Sequence, residues 1–167
     1  MVQTYQETQM PLSTMGFDID RVAQIADELF ELHDTQMSKV RAPGSWSRKE
    51  ILGHLIDSAS VNHQRIIESQ LSGSIVFTGY DHQEWVKLSG YQAMIWEEVV
   101  TMWCAYNMHI CTIIDRIPES VLDKQHDEHS YDRMAFRTVS ADESSTLGYL
   151  IEDYFAHMQY HLDQIMD

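Results

Sequence analysis

The feature that most constrains the fold is a row of apolar residues three or four positions apart in the segment 91–116. Its members are Trp96, Val99, Trp103, Tyr106, Ile110 and Ile113. An α-helix turns once in 3.6 residues, so this spacing places all six side chains on one face. A half-buried strand would alternate with a period of two instead. The segment therefore predicts a long helix with one buried face, ending before Pro118.

Three further segments carry helical signals. Apolar residues recur at helical intervals over 17–40. Ser47 followed by Glu50 forms a predicted capping box for a second helix that runs to about residue 71. A last helix is expected to begin near residues 145–146, where a hydroxyl can cap it, and to run to residue 167. Four helices of roughly 20 to 26 residues predict an all-α four-helix bundle.

Two long connections join these helices. The segment 73–90 has glycine at both ends and in the middle, which indicates a structured crossover. The segment 118–143 is polar and long for a loop in a small domain, so it either has short structure of its own or covers something. With 167 residues, of which 44% are hydrophobic, the chain is expected to form a single domain over residues 1–167.

Charge and targeting signals limit the class of protein. The formal net charge of -15 argues against a nucleic-acid partner, because phosphate contacts require clustered Lys and Arg, and against an anionic membrane surface. The first fifteen residues lack a secretory signal, and no later apolar run is long enough to cross a bilayer. We expect a cytoplasmic protein. Cys104 and Cys111 lie seven residues apart on one predicted helix, roughly 10 Å along its axis, so both should be reduced.

A pair of histidines on the last helix suggests a metal site. His157 and His161 are four residues apart, so their Cβ atoms would be about 5–6 Å from each other on one face. At about 100° per residue, His161 falls within the apolar arc and His157 at its border. His54 lies at the edge of the apolar face of the second helix. Three imidazoles could bind one divalent ion and leave a position open, although buried packing and hydrogen bonding would explain them too.

The other six histidines have a weaker context as ligands. Three of them, His82, His126 and His129, are predicted in loops. The sequence "HDEH" at 126–129 could contribute to a second metal site, but a solvated polar loop explains it equally well. His33 continues the apolar stripe of the first helix and is expected to be buried. His63 is expected on the side of the second helix opposite His54, and His109 has no partner at ligand spacing.

Two motifs together resemble one protein family. The stretch "GSWSRKEILGHLIDSAS", 44–60, followed about a hundred residues later by "HMQYHLDQI", 157–165, resembles the DinB/YfiT-like family of four-helix-bundle metalloproteins. The resemblance implies that His54, His157 and His161 bind one divalent ion, zinc or nickel. It also implies a metal-dependent enzyme acting on a small-molecule substrate: a transferase that uses a low-molecular-weight thiol, or a hydrolase.

The residues around the pair refine this chemistry. Met158 follows His157 where a zincin peptidase would carry its glutamate base, so peptidase activity is disfavoured. Asp57 and Asp153, each one turn from a predicted ligand, are weak candidates for a catalytic base, and a solvated or orienting carboxylate is an equally good interpretation. Arg65 or Arg48 would have to supply local positive charge for an anionic thiol.

A non-catalytic interaction protein is the competing hypothesis. In that case the metal would be structural or absent, and the bundle could form a homodimer. Trp85, Trp96 and Trp103 could supply the dimer face, although aromatic residues at helical spacing more often belong to a core.

Overall fold

The computed structural model describes residues 17–167, and within that range the chain is all-α. The described residues form eight α-helices and no β-strand. In chain order the helices are α1 Ile19–Phe30, α2 Asp34–Met37, α3 Arg48–Ser72, α4 His82–Ser89, α5 Trp96–Ile114, α6 Glu119–Leu122, α7 Tyr131–Met134 and α8 Leu147–Met166. The predicted all-α class is therefore confirmed.

The predicted caps of α3 and α8 are present. The Ser47 hydroxyl accepts from the Glu50 amide, and the Glu50 carboxylate accepts from the Ser47 amide at 2.8 Å, which completes the capping box. The Thr146 hydroxyl accepts from the Tyr149 amide at 3.0 Å and begins α8. These bonds satisfy amides that have no partner within their helices, so the local sequence determines where both helices start.

The first helix is shorter than predicted. It ends at Phe30, and the short α2 follows after a break. The Trp96 indole donates to the carbonyl of Leu29 at 2.7 Å, and the Asp34 carboxylate pairs with the buried Lys49 amine. These contacts come from distant parts of the chain and override the helical periodicity, so the predicted continuation of the first helix to residue 40 is wrong.

The start of α5 also differs from the prediction. A single turn of 3-10 helix covers Tyr91–Ala93, and α5 begins at Trp96. The Asp34 carboxylate accepts from the Trp96 amide at 2.9 Å, so a side chain from another helix caps α5.

The core lies between the four longer helices. Helix α5 packs against α1 and α3, and α3 packs against α8. Trp96 and Trp103 have no exposed surface, as expected for core residues, and neither can contribute to a dimer face. Trp85 differs from them, since 38% of it is exposed.

Both long connections have structure of their own. The first contains α4. The Asp81 carboxylate caps the start of α4, and Gly90, with a φ of 70°, ends it. The second contains α6 and α7, and His126 and Ser145 exchange two backbone hydrogen bonds of 2.9 and 3.0 Å across it. These bonds hold the second connection against the start of α8.

Cys104 and Cys111 are both free, as predicted. Among the helices of residues 17–167, none combines the length and apolar character needed to cross a membrane.

Candidate metal centre

The packing of α3 against α8 brings three histidines together. His54 is buried on α3, with 2% of its surface exposed, and His157 and His161 lie one turn apart on α8. One ring nitrogen from each lies within 4.8 Å of the other two. The ring centroids are 4.7 to 5.1 Å apart. The structure therefore brings together the three histidines that the sequence predicts as metal ligands.

The nitrogen separations suit a metal ion. Nε2 of His54 and Nε2 of His157 are 3.2 Å apart. Two ligands of a tetrahedral ion with bonds of 2.0–2.1 Å are about 3.3 Å apart, so these nitrogens already stand at ligand spacing. A hydrogen bond between two neutral rings has a similar length, but it would involve only two of the three histidines.

The protonation of the rings also suits metal binding. Burial, with the neighbouring imidazoles, lowers the pKa of His54 to about 3 and that of His157 to about 3. Burial lowers the pKa of His161 as well. All three rings are therefore neutral at pH 7 and have a lone pair to offer. Nδ1 of His161 lies 3.1 Å from the side-chain oxygen of Gln164; an N–H at Nδ1 would leave Nε2 free for an ion.

The histidines line a cavity of about 570 Å³. Helix α3 supplies His54, Ser58 and Arg65 to its wall, and the connection between α5 and α8 supplies residues 133–136. That connection, the long polar segment 118–143 of the sequence analysis, therefore covers one side of the cavity. A cavity of this size accommodates a small molecule beside the three imidazoles.

A fourth histidine lies next to the three. His82, at the start of α4, lines the same cavity, and its ring centroid is 5.1 Å from that of His54. Burial lowers its pKa. His82 is not a member of the group whose nitrogens lie within ligand distance. The prediction of a loop at His82 is wrong, because His82 is the first residue of α4. Asp81, a residue type that favours helix N-caps, could have indicated this helix but not where it packs.

The two candidate carboxylates have other partners. Asp57 is 5% exposed and accepts from the Tyr91 hydroxyl at 2.7 Å and the Ser89 hydroxyl at 3.3 Å. Asp57 is not among the residues that line the cavity. Burial raises its pKa.

Asp153 does line the cavity, and its carboxylate accepts from the backbone amides of Phe136 at 2.8 Å and Arg137 at 2.7 Å. These bonds join the second connection to α8. A catalytic role for either carboxylate stays a prediction, but the observed bonds give both a structural role.

The remaining histidines do not form a second centre. His129 is bonded at both ring nitrogens, to the Glu143 carbonyl at 2.8 Å and the Tyr131 amide at 3.1 Å. His63 and His109 contact each other, with ring centroids 5.3 Å apart. Within residues 17–167, the group of His54, His157 and His161 is the one set of three or more potential ligands close enough to hold an ion.

Comparisons of the chain with protein-family models, curated proteins and solved structures found no match in any of the three.

Proposed function

We propose that this chain is a divalent-metal protein of the DinB/YfiT-like kind, a cytoplasmic four-helix bundle built from α1, α3, α5 and α8. In this proposal it is a metal-dependent transferase that joins a low-molecular-weight thiol to a small molecule. The observation that carries the proposal is the convergence of three neutral imidazoles, with nitrogens within 4.8 Å of each other, on the wall of a cavity.

His54, His157 and His161 would hold the ion, zinc or nickel. Three protein ligands are the number found in catalytic zinc sites, which keep a position open for substrate. A divalent ion bound there would hold a thiol as its thiolate, the nucleophilic form. Cysteine residues of the chain itself are not placed for this role: Cys111 is buried in the core, and burial raises its pKa to about 12.

The cavity residues would bind and shelter the small molecule. Trp46 packs against His54, with ring centroids 5.1 Å apart, and Phe136 packs against His157 at 5.5 Å. Both aromatic side chains line the cavity. They hold the imidazole planes in place and reduce the access of water to the rings, which strengthens polar interactions within the cavity.

The first test is metal content per chain, measured by mass spectrometry on protein purified without an immobilised-metal step. The wild type should contain about one zinc, nickel or similar ion, since one site has three ligands. His54→Ala and His157→Ala should lose it. His109→Ala is the matched control, because His109 is an exposed histidine on α5 and should leave the content unchanged. A wild type that is metal-free and takes up no added metal would refute the proposal.

A second assay separates transfer from hydrolysis. The metal-loaded wild type is incubated with a simple thiol and an electrophilic small molecule, and separately with an ester in the absence of thiol. The proposal expects the thiol sulfur to bond to the electrophilic carbon as the leaving group departs from that carbon and the thiol proton passes to solvent. Thioether should therefore form faster than without protein, and His157→Ala should lose this activity. Ester cleavage without any thiol transfer would favour the hydrolase hypothesis instead.

A further inference from the structure

Arg65 is a buried cation in the wall of the same cavity. Only 7% of its surface is exposed. Its Nη2 donates to the carbonyl of Thr78 at 2.9 Å, and its guanidinium carbon lies 5.5 Å from the centre of the Phe77 ring. A guanidinium has five N–H donors, and within residues 17–167 the Thr78 carbonyl is its one hydrogen-bond acceptor. Most of its donors are therefore available to a ligand in the cavity.

No carboxylate of the described residues lies within 4.0 Å of Arg65, although the chain has 26 acidic residues. Lys49, the other buried cation of residues 17–167, is paired with Asp34. A buried charge is costly unless a partner compensates it. Burial lowers the pKa of Arg65, yet a guanidinium titrates so high that it stays charged at pH 7.

Arg65 and His54 lie on the same side of α3. Arg65 is eleven positions after His54, which is about three turns, so the two side chains differ by only about 20° around the helix axis. Their Cα atoms are about 16 Å apart along the axis, and the long arginine side chain leans back toward the N-terminal end of the helix. Ser58 lies between them on the cavity wall. The cavity therefore runs along α3 from the imidazoles to the guanidinium.

From this arrangement we infer that Arg65 forms a carboxylate-binding subsite at the end of the cavity away from the three histidines. The substrate or thiol bound there is accordingly a small molecule whose carboxylate lies several bonds from its metal-binding group. This inference deepens the proposed function and rests on it for the identity of the other end of the ligand.

A carboxylate fits this subsite better than a phosphate. The planar guanidinium can donate two parallel bonds to a carboxylate, and its single charge matches one negative charge. A phosphate dianion would require a second cation. The other arginine on the cavity wall, Arg133, is 72% exposed at its side chain and pairs with Asp132 at 3.4 Å.

The test compares matched acids and alcohols. Calorimetry of the zinc-loaded wild type with mercaptohexanoate and mercaptohexanol should show the acid binding about tenfold more tightly or better, the usual effect of a charge-assisted hydrogen bond. Arg65→Gln should remove this preference, and Arg65→Lys should keep part of it. Arg116→Gln, which removes one exposed charge at the end of α5, is the control and should keep all of it.

A second arm needs no metal. With a chelator present, hexanoate should raise the Tm of the wild type more than hexanol does, and Arg65→Gln should abolish the difference. If zinc does not bind to the wild type, the proposed function fails and this arm alone decides the subsite. If zinc binds to the wild type, the calorimetric comparison of acid and alcohol decides whether Arg65 forms the subsite.

Equal binding of acid and alcohol by the wild type in the deciding arm would overturn the inference. A preference for the acid that persists in Arg65→Gln would overturn it too, because another group would then be responsible. Circular dichroism checks that the variants fold. If Arg65→Gln does not fold, the comparison of Arg65→Lys with the wild type takes its place.

Discussion

Two polar clusters lie one helical turn apart on α3, and they are built on opposite principles. Around Asp57, hydroxyl donors from Tyr91 and Ser89 meet a carboxylate, so the chain supplies partners of complementary kind. Around His54, three groups of the same kind converge. Each cluster also contains one buried atom with no partner among the described residues, Oδ2 of Asp57 and Nδ1 of His54, so the clusters differ in the kind of groups that meet. Complementary groups hold helices together by themselves, whereas like groups brought together are a reason to expect a ligand.

The Asp57 cluster is part of the fold. Tyr91 lies directly on the backbone of α3 at Gly53, where an added Cβ would be 2.2 Å from its ring. That contact directs the Tyr91 hydroxyl to Asp57. The close approach of an aromatic ring to a helix explains why a residue with poor helix propensity stands inside α3.

The largest expected effect comes from breaking this close approach. Gly53→Ala should lower the free energy of unfolding by about 3 kcal/mol, because the new methyl group cannot fit without moving Tyr91. Gly79→Ala is the control, since a Cβ there meets nothing within 4 Å. Urea denaturation of both variants measures the difference. If the two variants were equally stable, Tyr91 would not be packed on α3 as described.

A somewhat smaller effect should distinguish the histidine cluster. Zinc at about a hundred times its Kd should raise the free energy of unfolding of the wild type by about 2.7 kcal/mol, because it binds the folded state. His157→Ala should gain almost nothing, while Asp57→Asn should gain as much as the wild type. Urea denaturation with and without zinc provides the measurement. Loss of the zinc effect in Asp57→Asn would show that the two clusters are not separate.

The smallest effect concerns pH. Burial raises the folded-state pKa of Asp57 above its unfolded value, so its contribution to stability is fully present below the unfolded pKa and declines as pH rises through the folded pKa. Asn does not titrate, and its amide oxygen can still accept from Tyr91. Asp57→Asn should therefore cost under about 1 kcal/mol at about pH 4, and less than that, or nothing, at about pH 7.

Denaturation of the metal-free wild type and Asp57→Asn at the two pH values measures this trend. A cost that grows from acid to neutral pH would mean that the carboxylate is stabilised in its charged form, contrary to this account.

Much of the histidine cluster could be predicted because it depends on local geometry. The four-residue spacing of His157 and His161 places them on one face of any helix, and the edge position of His54 follows from the apolar pattern of its own helix. The caps at Ser47 and Thr146 are local as well, and both are observed.

What could not be predicted depends on contacts between distant residues. The end of α1 is determined by the indole of Trp96, and α5 begins where Asp34 caps it. The position of His82 depends on the path of the chain after Gly73, and the apolar spacing of the sequence does not predict that path. Sequence alone offered both Arg65 and Arg48 as sources of positive charge, and only the packed structure shows that Arg65 lines the cavity.

The central claim is that three imidazoles converge to bind one ion, and X-ray absorption spectroscopy at the zinc edge tests it most directly. The zinc-loaded wild type should show three imidazole ligands at about 2.0–2.1 Å and no sulfur ligand in the absence of added thiol. His161→Ala should show one imidazole fewer or lose the ion. A wild-type spectrum with fewer than three imidazoles, or with protein sulfur bound to zinc, would contradict the account.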